Sequence, residues 1–143
     1  MFSKIMVPVD LAHLADLEKA LTCARDLAGH YGAEISFVGV TAPSPGALAH
    51  NPAEYEARLA EFAAEQGAKG GANAARIKTR AHMVISHDPK IDLDETLLRA
   101  AKEVAADLVV MASHLPKLTD YLWPSNGGKV AAHASASVMV VRP

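Results

Sequence analysis

Five short apolar runs, each separated from the next by a stretch of helical or loop character, constrain this chain more than any other feature. "KIMVPV" at 4–9, "EISFVGV" at 34–40, "IKTRAHMVIS" at 77–86, "DLVVMAS" at 107–113 and "SVMVVR" at 137–142 have strand length and strand composition. Between the first two, Leu14, Leu17, Leu21, Ala24 and Ala28 recur at spacings of three and four, and the glycines at 29 and 32 mark the end of that helix. "TAPSPGALAHNP" at 41–52 carries three prolines and is a loop, followed by a helix through Tyr55, Leu59 and Phe62. Leu93, Leu97, Leu98, Ala101 and Val104 line one side of a third helix whose first turn is acidic, as the helix dipole favours. A short fourth helix runs from Ser125 to Ala134. The third strand places Lys78, Arg80 and His82 on one face and is therefore expected at a sheet edge.

Strands alternating with helices at this spacing require crossover connections, hence a parallel sheet with helices on both faces: a single doubly wound α/β domain spanning 1–143. In such sheets ligands bind beyond the carboxyl ends of the strands, where the strand order reverses. The candidate site is then Pro8, Val9 and Asp10 after strand one, Val40 and Thr41 after strand two, Met111, Ala112, Ser113 and His114 after strand four, and the start of the last helix at Ser125, Asn126 and Gly127. The "PSNGGK" at 124–129 sets unpaired backbone N–H groups at a helix start, which suits an anion.

Composition narrows the function. Half of the residues are apolar and few are aromatic, which suits Ala-rich helices packed closely on a Val-rich sheet. Fourteen Lys and Arg stand against 16 Asp and Glu with no basic cluster, so nucleic acid is not an expected partner. Cys23 is alone, excluding an internal disulfide; a small buried hydrophobe in a reducing compartment is the expectation. The apolar run at the N-terminus is too short for a signal peptide, and no run of eighteen apolar residues occurs, so a cytoplasmic location without membrane insertion is expected. The seven histidines show no i, i+4 pair of the kind a helical metal site needs, and no metal is expected.

"KIMVPVD" at the start, "ADLVVMASH" at 106–114 and "KVAAHASASVMVVRP" at 129–143 together resemble the universal stress protein family, in the family's order and spacing over essentially the whole chain. The resemblance implies a five-stranded parallel sheet of order 3-2-1-4-5, a homodimer joined through strand five, and a role in stress survival rather than metabolic catalysis. It also implies ATP or AMP as ligand, held by a Gly-x2-Gly-x9-Gly-Ser/Thr pattern whose backbone N–H groups wrap the phosphates. This chain departs from that pattern. Ala112 stands at the first glycine and Leu115 at the second. At strict spacing the third falls on Ser125; aligned backwards from Arg142, Pro124 takes the glycine and Ser125 keeps the Ser, with the loop one residue shorter. Pro124 has no N–H to offer a phosphate, whereas Asn126, Gly127 and Gly128 can supply theirs.

Individual residues keep two readings. Asp10 matches the Asp that in nucleotide-binding relatives lies beside adenine and ribose, and would serve equally as a cap or turn residue. His114 reads as a phosphate or ribose contact or as a rim histidine, Ser125 as a helix cap with an added ligand contact, and Lys129 as a counter-charge to phosphate or, the preferred reading, a solvated cation. Leu115, Leu118, Tyr121, Leu122 and Trp123 form an apolar stretch that would fill an emptied cleft or dock a protein partner. Two functions follow: a non-enzymatic stress-response regulator acting as a dimer through partner binding, or an adenine-nucleotide sensor with a degenerate phosphate loop. No residue set reads as catalytic.

Overall fold

The computed structural model describes residues 1–113 and 126–142, with Lys90 and Asn126 described in their backbone alone. Strands β1 (Lys4–Val9), β2 (Glu34–Thr41), β3 (Lys78–Ile85), β4 (Leu108–Ala112) and β5 (Ser137–Val141) form one sheet. Its order is β3-β2-β1-β4-β5, all pairs parallel. Helices α1 (Glu18–Tyr31), α2 (Pro52–Ala68), α3 (Pro89–Glu103) and α4 (Asn126–His133) make the crossovers. The doubly wound topology and the edge position expected of strand three are both present.

The period of two within each strand divides the core into two layers. Ile5, Val7, Val9, Ile35, Phe37, Leu108 and Val110 meet Leu21, Ala24, Leu59 and Phe62 of α1 and α2. Met6, Val38, Val84, Val109 and Met111 meet Leu93, Leu97, Ala100 and Val130 of α3 and α4 on the opposite face. Small side chains at Ala24 and Ala28, fully buried, let α1 lie close to the sheet. The α1–α2 seam holds a buried polar link in which Arg25 donates to Gln66, to Thr22 Oγ1 at 2.8 Å and to Glu18 Oε1 at 3.1 Å.

Helix ends explain where the elements depart from their expected bounds. The first helix opens as a 3-10 turn at Leu14–Leu17 before α1 proper, and α1 stops at Gly32 in the left-handed region with φ 68°. For α2, Asn51 accepts from Glu54 N at 2.9 Å with Pro52 at the first helical position. α3 begins at Pro89, four residues before Leu93 opens the apolar period, because proline preorganises a first turn that carries no apolar stripe. At the amino end of the sheet, Asp107 receives Ser3 N, Ser3 Oγ and Lys4 N at 2.8, 2.7 and 3.0 Å, tying the approach to β1 onto the start of β4.

Candidate functional site

Because α1 and α2 cover one face and α3 and α4 the other, the strand order reverses between the parallel neighbours β1 and β4, and the crevice opens at their carboxyl ends. Asp10 leaves β1 at this point. Its Oδ1 accepts Ala12 N at 2.9 Å, its Oδ2 accepts the His13 imidazole Nδ1 at 2.8 Å, and its carbonyl accepts His13 N at 3.1 Å. The sequence left Asp10 between turn residue and ligand contact; the turn role is in place, and it engages both carboxylate oxygens. The hydrogen bond to Asp10 and then the charge of Asp10 hold the His13 imidazole above its usual range, with Asp16 adding to the same effect.

Beside this turn the segment after β2 folds over the strand ends and encloses a cleft of about 310 Å3, lined among others by Ala12, Val40, Thr41, Ser44, Leu48 and Tyr55. Leu48 and Ala49 pack back on the core and hold the segment down. Tyr55, in the first turn of α2, is buried beneath it at 4% exposure, and burial, followed by the negative charge of Asp10, raises its phenol well above the ordinary range. It lies over β2 because residue 39 is glycine: a Cβ there would stand 2.6 Å from the Tyr55 hydroxyl oxygen.

The other expected site residues fall into four groups. Pro8, Val9 and Met111 are buried within the sheet, Val9 in the α1–α2 layer and Met111 in the α3–α4 layer, so their backbones rather than their side chains face the crevice end. Val40 lines the cleft, Ala112 ends β4 half-buried in register with Val141, and Ser113 N donates to Val141 O at 2.8 Å. Asn126 begins α4, and Gly127 in its first turn packs over β5, where an added Cβ would meet Val140 at 3.6 Å. His114, Ser125 and the apolar stretch from Leu115 to Trp123 lie outside the described residues.

Two side chains correct the sequence reading and one pair was missed by it. Lys129 is not simply solvated: its Nζ lies 3.0 Å from Asp94 Oδ2 of α3. Cys23 is half-buried rather than buried, its Sγ 3.5 Å from Met139 Sδ, and burial followed by the charge of Asp26 pushes its thiol up, away from reactivity. Tyr55 and Ala12 escaped notice as site residues; the signal that could have found Tyr55 is Gly39, a glycine inside a buried strand, which marks a close approach. Among the described residues no group of three His, Cys, Asp or Glu side chains is placed to hold a metal ion. No described helix is long and apolar enough to cross a membrane.

Comparison with known proteins agrees with this architecture. Universal stress protein G of Salmonella typhimurium is 28% identical over 150 residues, covering 99% of this chain and 100% of the relative. A universal stress protein solved in complex with cAMP superposes with a TM-score of 0.66 at 19% identity, covering 98% of this chain and 97% of the other. The universal stress protein from Archaeoglobus fulgidus in complex with dAMP gives 0.61 at 19% identity, covering 96% of each chain. The universal stress protein family model matches residues 1–142. With the sheet order, the crevice and the match all extending over the same residues, the chain belongs to the universal stress protein family.

Proposed function

We propose that this chain is a non-catalytic stress-response protein that binds an adenine mononucleotide in the crevice at the carboxyl ends of β1, β2 and β4, and works as a homodimer joined along β5. The observation that carries the reading is the cleft of about 310 Å3 between Val40, Thr41, Ala12 and Tyr55. It sits at the end of the sheet where doubly wound folds take ligands, and its size is at the lower end of small-molecule sites, suited to a nucleoside rather than to a long polyphosphate. Related structures carrying cAMP and dAMP support the same ligand class. Ala112, Leu115 and Pro124, standing where the family pattern has glycines, favour a monophosphate over a triphosphate, because each withholds space or an N–H from a wrapped phosphate chain.

The dimer is supported by β5, whose Met139 and Val140 are each 37% exposed at the edge of the sheet. An edge strand with apolar side chains is a surface that a second copy would cover. Isothermal titration with AMP and with ATP, on protein first shown by its 260 nm absorbance to carry no nucleotide, tests the reading. Binding of AMP at about micromolar Kd with ATP no tighter is expected. No heat with either would remove the nucleotide and return the protein to partner docking through the apolar residues 115–123.

A further inference from the structure

We propose that His13 is the latch of this site: its imidazole occupies the Asp10 carboxylate that a nucleoside's ribose hydroxyls or exocyclic amine would use, so that the ligand and His13 compete for Asp10. The inference rests on the nucleotide reading above and adds to it a residue that governs affinity. Of the expected site residues Asp10 is the one with a carboxylate, the acceptor that donor groups on a nucleoside would seek. In the structure each of its oxygens already accepts one hydrogen bond, Ala12 N on Oδ1 and His13 Nδ1 on Oδ2, and the imidazole stands on the Oδ2 side that a ligand donor would approach.

The two holds differ in kind. Ala12 N on Oδ1 and His13 N on the Asp10 carbonyl are backbone contacts that build the turn, and they remain whatever the ring does. The ring itself is 54% exposed against 18% for Asp10, so it can swing into solvent about its own side-chain torsions while the carboxylate stays in place. Release is therefore a side-chain event.

Protonation sets how firmly the ring holds. The charged groups bearing on His13 are Asp10 at the end of β1 and Asp16 in the 3-10 turn, both of which favour imidazolium; Tyr55 of α2 bears on Asp10 and not on the ring. At low pH the latch is an ion pair, and as pH rises the ring loses its charge and keeps only a neutral hydrogen bond. A ligand that displaces it removes the pairing that raises the His13 pKa, so binding releases protons and affinity climbs with pH, the two being one linkage.

Adenosine is the probe, because it lacks a phosphate whose own charge would act on His13. Calorimetric titration of the intact protein and of His13→Ala, from about pH 5 to about pH 8, should show wild-type affinity rising about two- to fivefold, the scale of an exposed ion pair. The variant should bind with no such rise and at least as tightly as wild type at the upper pH. Saturating adenosine should also lower the midpoint of the His13 imidazole titration followed by NMR. Equal pH slopes in both proteins, or weaker binding by the variant, would overturn the latch and leave the nucleotide reading standing. AMP bound without adenosine would do the same, since the Asp10 end would then contribute no recognition. Failure of both ligands at every pH would overturn the latch and the nucleotide reading together.

Discussion

Gly39 and Asp107 show how single residues set the site and the sheet that carries it. Adding a methyl group at 39 brings a Cβ to 2.6 Å from the Tyr55 hydroxyl and 2.8 Å from its ring, inside any real contact distance. Gly39→Ala should therefore drive Tyr55 out of its place under the cleft, lowering stability by about 1–3 kcal/mol in urea unfolding and weakening AMP binding. At the opposite end of the sheet, partial burial pushes the Asp107 carboxyl up, but hydrogen bonds from Ser3 N, Ser3 Oγ and Lys4 N outweigh it and hold the group below its ordinary 3.8. A depressed carboxylate gives stability that is present above the unfolded value and is lost as pH falls through the folded one. Asp107→Ala should thus be less stable than wild type by about 1–2 kcal/mol near neutrality, with the difference closing below pH 3.8. Neither residue's role was visible in the sequence, because Tyr55 lies sixteen positions from Gly39 and Ser3 lies 104 from Asp107. Asp10 was visible as a site residue but not as an occupied one, since its partnership with His13 depends on the turn between them.

The elements were more legible than the residues. Each strand announced itself through a Val- or Ile-rich run bounded by polar or turn residues, and the two-layer core follows directly from the alternation within those runs. Lys78, Arg80 and His82 announced the edge, and in the structure Arg80 pairs with Glu34 at 3.0 Å and His82 with Glu103 at 2.8 Å instead of entering a core. What escaped was structure without apolar period: the start of α3 at Pro89 and the 3-10 turn at Gly71–Arg76 before β3. The 42–51 segment was legible as a loop but not as the wall of a cleft, because what anchors it is Leu48 against the core, a contact no local pattern encodes. In the proposed dimer, β5 carries the association of two chains. Val140→Glu would set a charge on a half-covered edge, opposite Met111 in register. Sedimentation velocity should find the variant monomeric at concentrations where the wild type is a dimer, and a dimeric variant would place the interface elsewhere.

At the scale of the whole molecule, two ends of one sheet have been given different work. The amino end is tied by Asp107 and by surface ion pairs, while the carboxyl end holds the crevice, the covering segment after β2 and an Asp10 that is engaged only through a turn and an exposed ring. This division is what a doubly wound sheet provides: a fixed scaffold below and adjustable connections above. The match to the universal stress protein family over residues 1–142 agrees with that scaffold, and the particular residues at the carboxyl end decide what this chain does with it. The most direct measurement of the central claim is an NMR titration of the 15N-labelled protein with AMP. Shifts concentrated on the amides of Asp10, Ala12, Val40, Thr41 and Ala112, with Lys4, Arg80 and Glu103 still, are the predicted result. Shifts confined to the amino end of the sheet, or none at saturating AMP, would contradict it.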